Sequence, residues 1–205
     1  MDSHDPLRFL QLEIGRLREE NRELKEELTV LRSSVRALSA LQDIIQRLTP
    51  QADVTALLDD LLASALVVMG ADDGSLLLLD EQAGTLVFAV VRGQMRQSLT
   101  GYRMPQNQGI AGWVVASKKP HVVRDVRLDP RFSPLIDETF GFRTRSLACV
   151  PLLDGERVLG VIEALNKTSD REFTDDDHDL LKIVAQLAAV AIARADTYAE
   201  PAAQG

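Results

Sequence analysis

The 205-residue chain carries 23 Lys and Arg against 31 Asp and Glu, a net charge of −8. Its basic residues do not cluster, which argues against phosphate-backbone binding and so against a nucleic-acid partner. The polar, acidic start MDSHDPLRF is no signal peptide, no apolar run approaches the roughly 18 residues of a membrane span, and the single cysteine, Cys149, excludes an intrachain disulfide. A cytoplasmic protein with no membrane partner is the expectation.

The first element is a heptad helix. Asp5 and Pro6 read as an N-cap and a first-turn proline. Leu7, Ile14, Asn21, Leu28 and Val35 occupy a positions; Leu10, Leu17, Leu24, Leu31 and Leu38 occupy d positions. Mixed aliphatic a residues with leucine at d favour a two-stranded coiled coil. Glu13, Glu20 and Glu27 fall at g, and Arg18, Lys25 and Arg32 at the following e. In a parallel homodimer each g residue faces the partner's e residue with opposite charge, worth on the order of half a kcal/mol per exposed pair. Asn21 in the seam fits this arrangement. Paired asparagines hydrogen-bond across a parallel dimer but face leucine, unsatisfied, in slipped or antiparallel forms. The alternative is an amphipathic helix packed on its own domain. A DNA-binding zipper is excluded, because residues 1–9 hold one arginine and two aspartates where a basic region is required. The spacing slips after Leu38, through Leu41, Ile45 and Leu48, and Pro50 ends the helix. The expected organisation is a dimerisation helix over 1–37, a domain over 38–198 and a tail over 199–205.

Along the domain, Asp53 caps a helix, VTALLDDLLASALVVM, that Gly70 closes. SLLLLD and TLVFAVV read as strands joined through EQAG. NQGIAGWVVAS reads as a short helix with a glycine-rich start, and PHVVRDV as a short strand. Residues 127–145 show no period and read as a loop with room for a helical turn. SLACVPLL and RVLGVIEALNK form a hairpin across DGE. TDDDHDLLKIVAQLAAVAIARA is a long helix capped by Thr174. The order describes an α+β domain with an antiparallel sheet and helices on one face.

GSLLLLD, QGIAGWVV, DPRF, GFRTRSLACVPL, VLGVIEALNK and the closing helix resemble a GAF domain over about Ala40 to Tyr198. The resemblance is to the cyclic-nucleotide-binding GAF domains of phosphodiesterases and adenylyl cyclases. It implies a six-stranded sheet with a ligand pocket on one face, and first and last helices packed on the other. Asn166, Lys167, Phe173 and Asp177 match four of the five positions of the family's structural signature, with His178 at the glutamate position. The lysine and aspartate would then lock strand to helix. Asp177 also reads as a capping-box acid, three residues after Thr174, and Lys167 as a strand end. The same resemblance implies ligand-facing roles for Ser75, Val91, Arg92, Ile110, Ala111, Asp137, Thr144 and Glu163. Ile110 and Ala111 would offer backbone N–H groups to an anion at a helix start. Val91 and Arg92 stand where the family has an aromatic residue and an aspartate, so base stacking is lost and Arg92 either meets a phosphate or points to solvent. Phe140 replaces a small hydroxyl residue. Ser75, Thr144 and Glu163 also fit a structural hydrogen bond or a solvated edge. Alternation leaves open which face Glu163 takes.

Cys149, inside an apolar strand, reads as a small buried hydrophobe. His4, His121 and His178 lack metal-ligand spacing, so no metal is expected, and no nucleophile–base arrangement points to an enzyme. Two readings remain. One is a non-catalytic sensor that binds a small ligand, with a cyclic nucleotide as candidate and no other cofactor. It would signal to a separate protein, since no output domain is recognisable. The other is an interaction or assembly module with no physiological ligand.

Overall fold

The computed structural model describes residues 10–22, 24–25, 53–168 and 172–199, the side chains of 196–199 excepted. The chain divides into two compact units, Met1–Gln42 and Asp43–Gly205.

In the first unit, residues 10–22 and 24–25 are helical. Leu10, Ile14, Leu17 and Leu24 are 48–54% exposed, and Asn21 is exposed in the same stripe. Glu13 pairs with Arg16 of its own helix at 2.9 Å, and Glu19 pairs with Arg22. Leu12, 69% exposed, lies off the heptad stripe. The remaining seam positions Leu7, Leu28, Leu31, Val35 and Leu38, the spacing break and Pro50 lie outside the described residues.

The second unit opens with helix α1 (Val54–Met69). Asp53 caps it by accepting from the Ala56 N–H at 3.0 Å. Gly70 ends it in the left-handed conformation at φ +62, which costs glycine little. Strands β1 (Ala71–Asp80) and β2 (Thr85–Arg92) follow. Next come a four-residue helix α2 (Arg96–Leu99), strand β3 (Arg103–Pro105) and helix α3 (Gly109–Ser117). Strand β4 (His121–Val123) leads into a 3-10 turn (Val126–Leu128) and a short helix α4 (Leu135–Phe140). The hairpin β5 (Leu147–Asp154) and β6 (Arg157–Lys167) precedes the long helix α5 (Asp175–Ala199). Helix α2 and strand β3 have no counterpart in the sequence reading.

The six strands form one antiparallel sheet in the order β3-β2-β1-β6-β5-β4. The long helices α1 and α5 pack together and on one face of it. Leu58, Leu62, Leu66, Leu181 and Ala188 are buried there. Burial of a leucine of this kind contributes about 2 kcal/mol. The other face is covered by α3 and the loop that carries α4. Its core holds Leu77, Phe88, Val114, Leu147, Cys149 and Val161. Gly112 of α3 lies so near Asn107 that a Cβ would come within 2.4 Å of its backbone carbonyl carbon.

A clasp joins the end of β6 to the start of α5. Lys167 Nζ pairs with Asp177 Oδ2, both side chains 12% exposed. Asp177 also accepts from the Thr174 N–H at 2.8 Å and from Thr174 Oγ1 at 3.0 Å. Thr174 Oγ1 in turn accepts from the Asp177 N–H at 3.2 Å. The capping acid and the strand-to-helix lock are therefore one residue. Burial opposes the charge on Asp177, but Lys167 and Thr174 outweigh it and hold the carboxyl below its ordinary range. Phe173 is buried, with Lys167 Nζ 5.8 Å from its ring centroid. His178 is half-buried, its Nδ1 3.8 Å from Asp179.

Candidate functional site

A cavity of about 90 Å³ lies between the sheet and the cover formed by α2, α3 and the 132–144 segment. The sheet supplies its floor, and register decides which side chains reach it. Val91 pairs with Ser75, Ser75 with Glu163, Glu163 with Cys149, and Cys149 with His121. These five residues form one rung across β2, β1, β6, β5 and β4. The neighbouring rungs on this face carry Leu77 and Val161 on one side, Leu165 and Leu147 on the other. The polar pair of this rung, Ser75 and Glu163, stands among mainly apolar neighbours, with Asp73 opposite Leu165 on the next rung.

Glu163 is its centre. The residue is 7% exposed, and Ser75 Oγ donates to its Oε2 at 3.0 Å. The Cys149 thiol hydrogen-bonds it from the next strand. Burial pushes the Glu163 carboxyl up, and the two hydrogen bonds only partly oppose this. Burial and the neighbouring Glu163 push the Cys149 thiol well up too, so it stays protonated. The face that alternation left open for Glu163 is therefore the cavity face. Cys149 is fully buried, as its apolar surroundings suggest, and it also serves as a donor.

The cover supplies the opposite wall. Asp137 on α4 accepts from the Thr144 N–H at 2.8 Å and from Thr144 Oγ1 at 2.7 Å, pinning α4 to the entry of β5. Asn166 secures the same segment from the end of β6. Its Oδ1 accepts from the Arg145 N–H at 2.8 Å and its Nδ2 donates to the Arg143 carbonyl at 3.0 Å. Asn166 adopts φ +54, a left-handed conformation that asparagine tolerates better than most residues. Ile110 and Ala111 stand at the amino end of α3, where no side chain caps the helix. Gln108 Nε2 donates to Ser133 Oγ at 3.0 Å across the cover.

All eight residues singled out for the pocket, Ser75, Val91, Arg92, Ile110, Ala111, Asp137, Thr144 and Glu163, line this cavity. For Arg92 the structure gives neither of the two expected outcomes. A bulge at Ala89 shifts the β1–β2 register, so Phe88 and Val91 both face the cavity and Arg92 turns toward α1. Its Nη2 donates to Asp59 Oδ2 at 2.6 Å and its Nε to the other oxygen. Arg96 reaches the same carboxylate at 3.4 Å. Arg92 thus touches the cavity at its edge while its guanidinium holds α1. Phe140 does not line the cavity; it packs edge-on against Tyr102, the rings 5.1 Å apart at 88°. Sequence reasoning missed Phe132, Ile136 and Phe142 on the cover, and Met95, Leu99 and Met104 beside β2, which make the cavity chiefly apolar.

The DPRF segment has a structural task beside the cavity. Asp129 accepts from Arg131 Nε and Nη2, each at 2.8 Å, and lies 2.7 Å from His121 Nε2. Arg131 and His121 hold the Asp129 carboxyl well below the ordinary range. The Arg131 guanidinium sits 4.6 Å above the Trp113 ring, joining loop to α3. Among the described residues no group of His, Cys, Asp and Glu could hold a metal ion. Among the same residues no helix is long and apolar enough to cross a membrane.

Residues 53–192 match the GAF domain. The chain belongs to the GAF domain family. This GAF protein is 30% identical over 174 residues to the dual 3′,5′-cyclic-AMP and -GMP phosphodiesterase 11A of Takifugu rubripes, covering 77% of this chain and 18% of that protein. It is 39% identical over 88 residues to the cone cGMP-specific 3′,5′-cyclic phosphodiesterase subunit alpha′ of Mus musculus, covering 43% of this chain and 10% of that one. The chain therefore spans less than a fifth of the length of these curated relatives. The GAF domain from a Coxiella burnetii phosphoenolpyruvate-protein phosphotransferase superposes with a TM-score of 0.69, covering 80% of this chain and 96% of that one. At 19% identity it speaks to fold alone.

Proposed function

We propose that this GAF protein is a non-catalytic regulatory sensor. A small molecule enters the cavity, and the change in packing passes through α1 to a separate signalling protein. The observation that carries this reading is the cavity itself, with a buried carboxyl on its floor and a cover pinned by Asp137, Thr144 and Asn166. Perturbed, buried ionisable groups beside a cavity are characteristic of ligand sites. The route to α1 is the Arg92–Asp59 pair, which ties the cavity edge to the helix following the heptad stripe. The relationship to cyclic-nucleotide phosphodiesterases makes cAMP and cGMP the first compounds to try.

The test is calorimetric titration of the full chain with cAMP, cGMP and cyclic dinucleotides, followed by thermal melting. A bound ligand at 100 times its Kd adds about 2.7 kcal/mol of stability. Absence of heat and of any shift in melting temperature across a wider metabolite panel overturns the sensor reading. It favours the assembly module, which the small volume of about 90 Å³ already suits: occupied sites run from about 300 to 1,000 Å³.

The exposed stripe of Leu10, Ile14, Leu17 and Leu24 supports a parallel homodimer through the N-terminal helix. Asn21→Leu is expected to raise stability and admit trimers or mixed orientations. Sedimentation equilibrium showing an unaltered pure dimer counts against that assembly.

A further inference from the structure

The geometry points to a small protonated amine with an apolar body as the ligand class, selected by Glu163 and Ser75 on the floor and by Asp137 on the cover. This rests on the sensor reading above. It starts from the balance of charge around the cavity. Asp73, Asp137 and Glu163 line it, and among the described residues Arg92 is the one cationic side chain that does so. The Arg92 guanidinium is already committed to Asp59, with Arg96 on the same carboxylate. The expected phosphate-binding cation is thus turned to the helix face of the sheet. Asp137 is half-buried and keeps further lone pairs beyond the two Thr144 contacts. The amino end of α3 borders the cavity as well and contributes about half a positive charge; against it stand the Asp137 carboxylate and that of Asp73, which already accepts from the Gln94 N–H at 2.9 Å.

Glu163 is the specific part of the argument. On the opposite face of the same strands, Ile162, Val150 and Leu76 fill the core with hydrocarbon. At these positions the fold packs the sheet with hydrocarbon alone. A carboxyl buried to 7% exposure is costly, and leucine would fill the rung more favourably. Glu163 sits instead on the cavity wall, with Ser75 and Cys149 orienting it from both neighbouring strands. An ammonium group stabilises the charged form that burial otherwise disfavours. Phe88, Met95, Leu99, Met104, Ile110 and Ile136 offer the apolar remainder of the ligand a dry wall.

Three probes that share one phenylethyl body separate the possibilities: phenethylamine, 2-phenylethanol and 3-phenylpropionate. Each is titrated into the full-length protein, and binding is followed by the NMR shifts of the Ser75 and Thr144 amides. Phenethylamine is expected to bind about tenfold tighter than the alcohol, and phenylpropionate weakest. Glu163→Gln is expected to remove the tenfold preference of phenethylamine over the alcohol. Should phenylpropionate, cAMP or cGMP bind tighter than phenethylamine, the charge assignment is overturned while the cavity reading stands. Should none of the compounds move either amide, the amine assignment is overturned, while the sensor reading stands or falls with the calorimetric panel. A tenfold preference that persists in Glu163→Gln removes Glu163 from the selection and overturns the assignment.

Discussion

The two faces of the sheet solve different problems. On the α1–α5 face, Leu62, Leu76, Ile162 and Leu181 are fully buried, and the partly exposed Arg92–Asp59 pair stands at its border. On the other face the same strands carry the Val91–Ser75–Glu163–Cys149–His121 rung and a hole above it. The first face is built for stability. The second gives some stability up to keep a carboxyl and a cavity out of water. The contrast locates function by its cost, since a residue worse than its apolar replacement is retained for another reason.

Removing a side chain from the packed face gives the largest effect. Leu62→Ala is expected to cost about 2–5 kcal/mol in urea denaturation, with the cavity rung untouched. The clasp between the faces comes next. Asp177→Asn is expected to cost about 2 kcal/mol at neutral pH, because the pair and both Thr174 contacts weaken together. The Asp177 carboxyl lies below its ordinary value of 3.8 in the folded state. Its contribution is therefore complete above pH 3.8 and is lost as pH falls below it. Wild type and variant should converge in acid; a constant difference down to pH 2 would break this account.

Glu163 runs the opposite way. Its carboxyl is raised above the ordinary 4.5, so below that pH both folded and unfolded forms are protonated and no penalty exists. Between 4.5 and the higher folded value the unfolded chain ionises while the folded one does not, so stability falls across that window. Glu163→Gln is expected to be neutral near pH 4 and about 1 kcal/mol more stable than wild type near pH 7. Loss of stability at pH 7 would show that the rung belongs to the packed core after all. The smallest effect is expected at the link between the faces. Asp59→Asn should cost at most about 1 kcal/mol, as both partners of its pair are partly exposed. It should nevertheless weaken the response of α1 to a cavity ligand, read by hydrogen exchange at the α1 amides with and without the probe.

The sequence announced the elements that carry their own punctuation. Asp53, Gly70 and Thr174 mark helix ends by their capping chemistry, and the β5–β6 hairpin has a turn at Gly155. Helix α2 and strand β3 have four and three residues, too few to show a period, and β3 is held only by pairing with β2. Glu163 could not be placed on a face because β6 is buried on both sides, from Val158 to Ala164 without interruption. Such a strand shows no alternation. Arg92 was ambiguous for a different reason. The unpaired Ala89 slips the register by one residue, which exchanges the faces of everything after it. The residues that the resemblance singled out come from five separate segments, which no local pattern could have joined and which the fold brings to one cavity.

The two outermost strands, Arg103–Pro105 and His121–Val123, are three residues each, and one of them ends in proline. So short a border exposes few main-chain groups to a passing extended segment, and proline withholds one donor. Sideways growth of the sheet from molecule to molecule is thereby discouraged, even though its interior strands are long and aliphatic. A crowded solution of this protein should stay clear of fibrils.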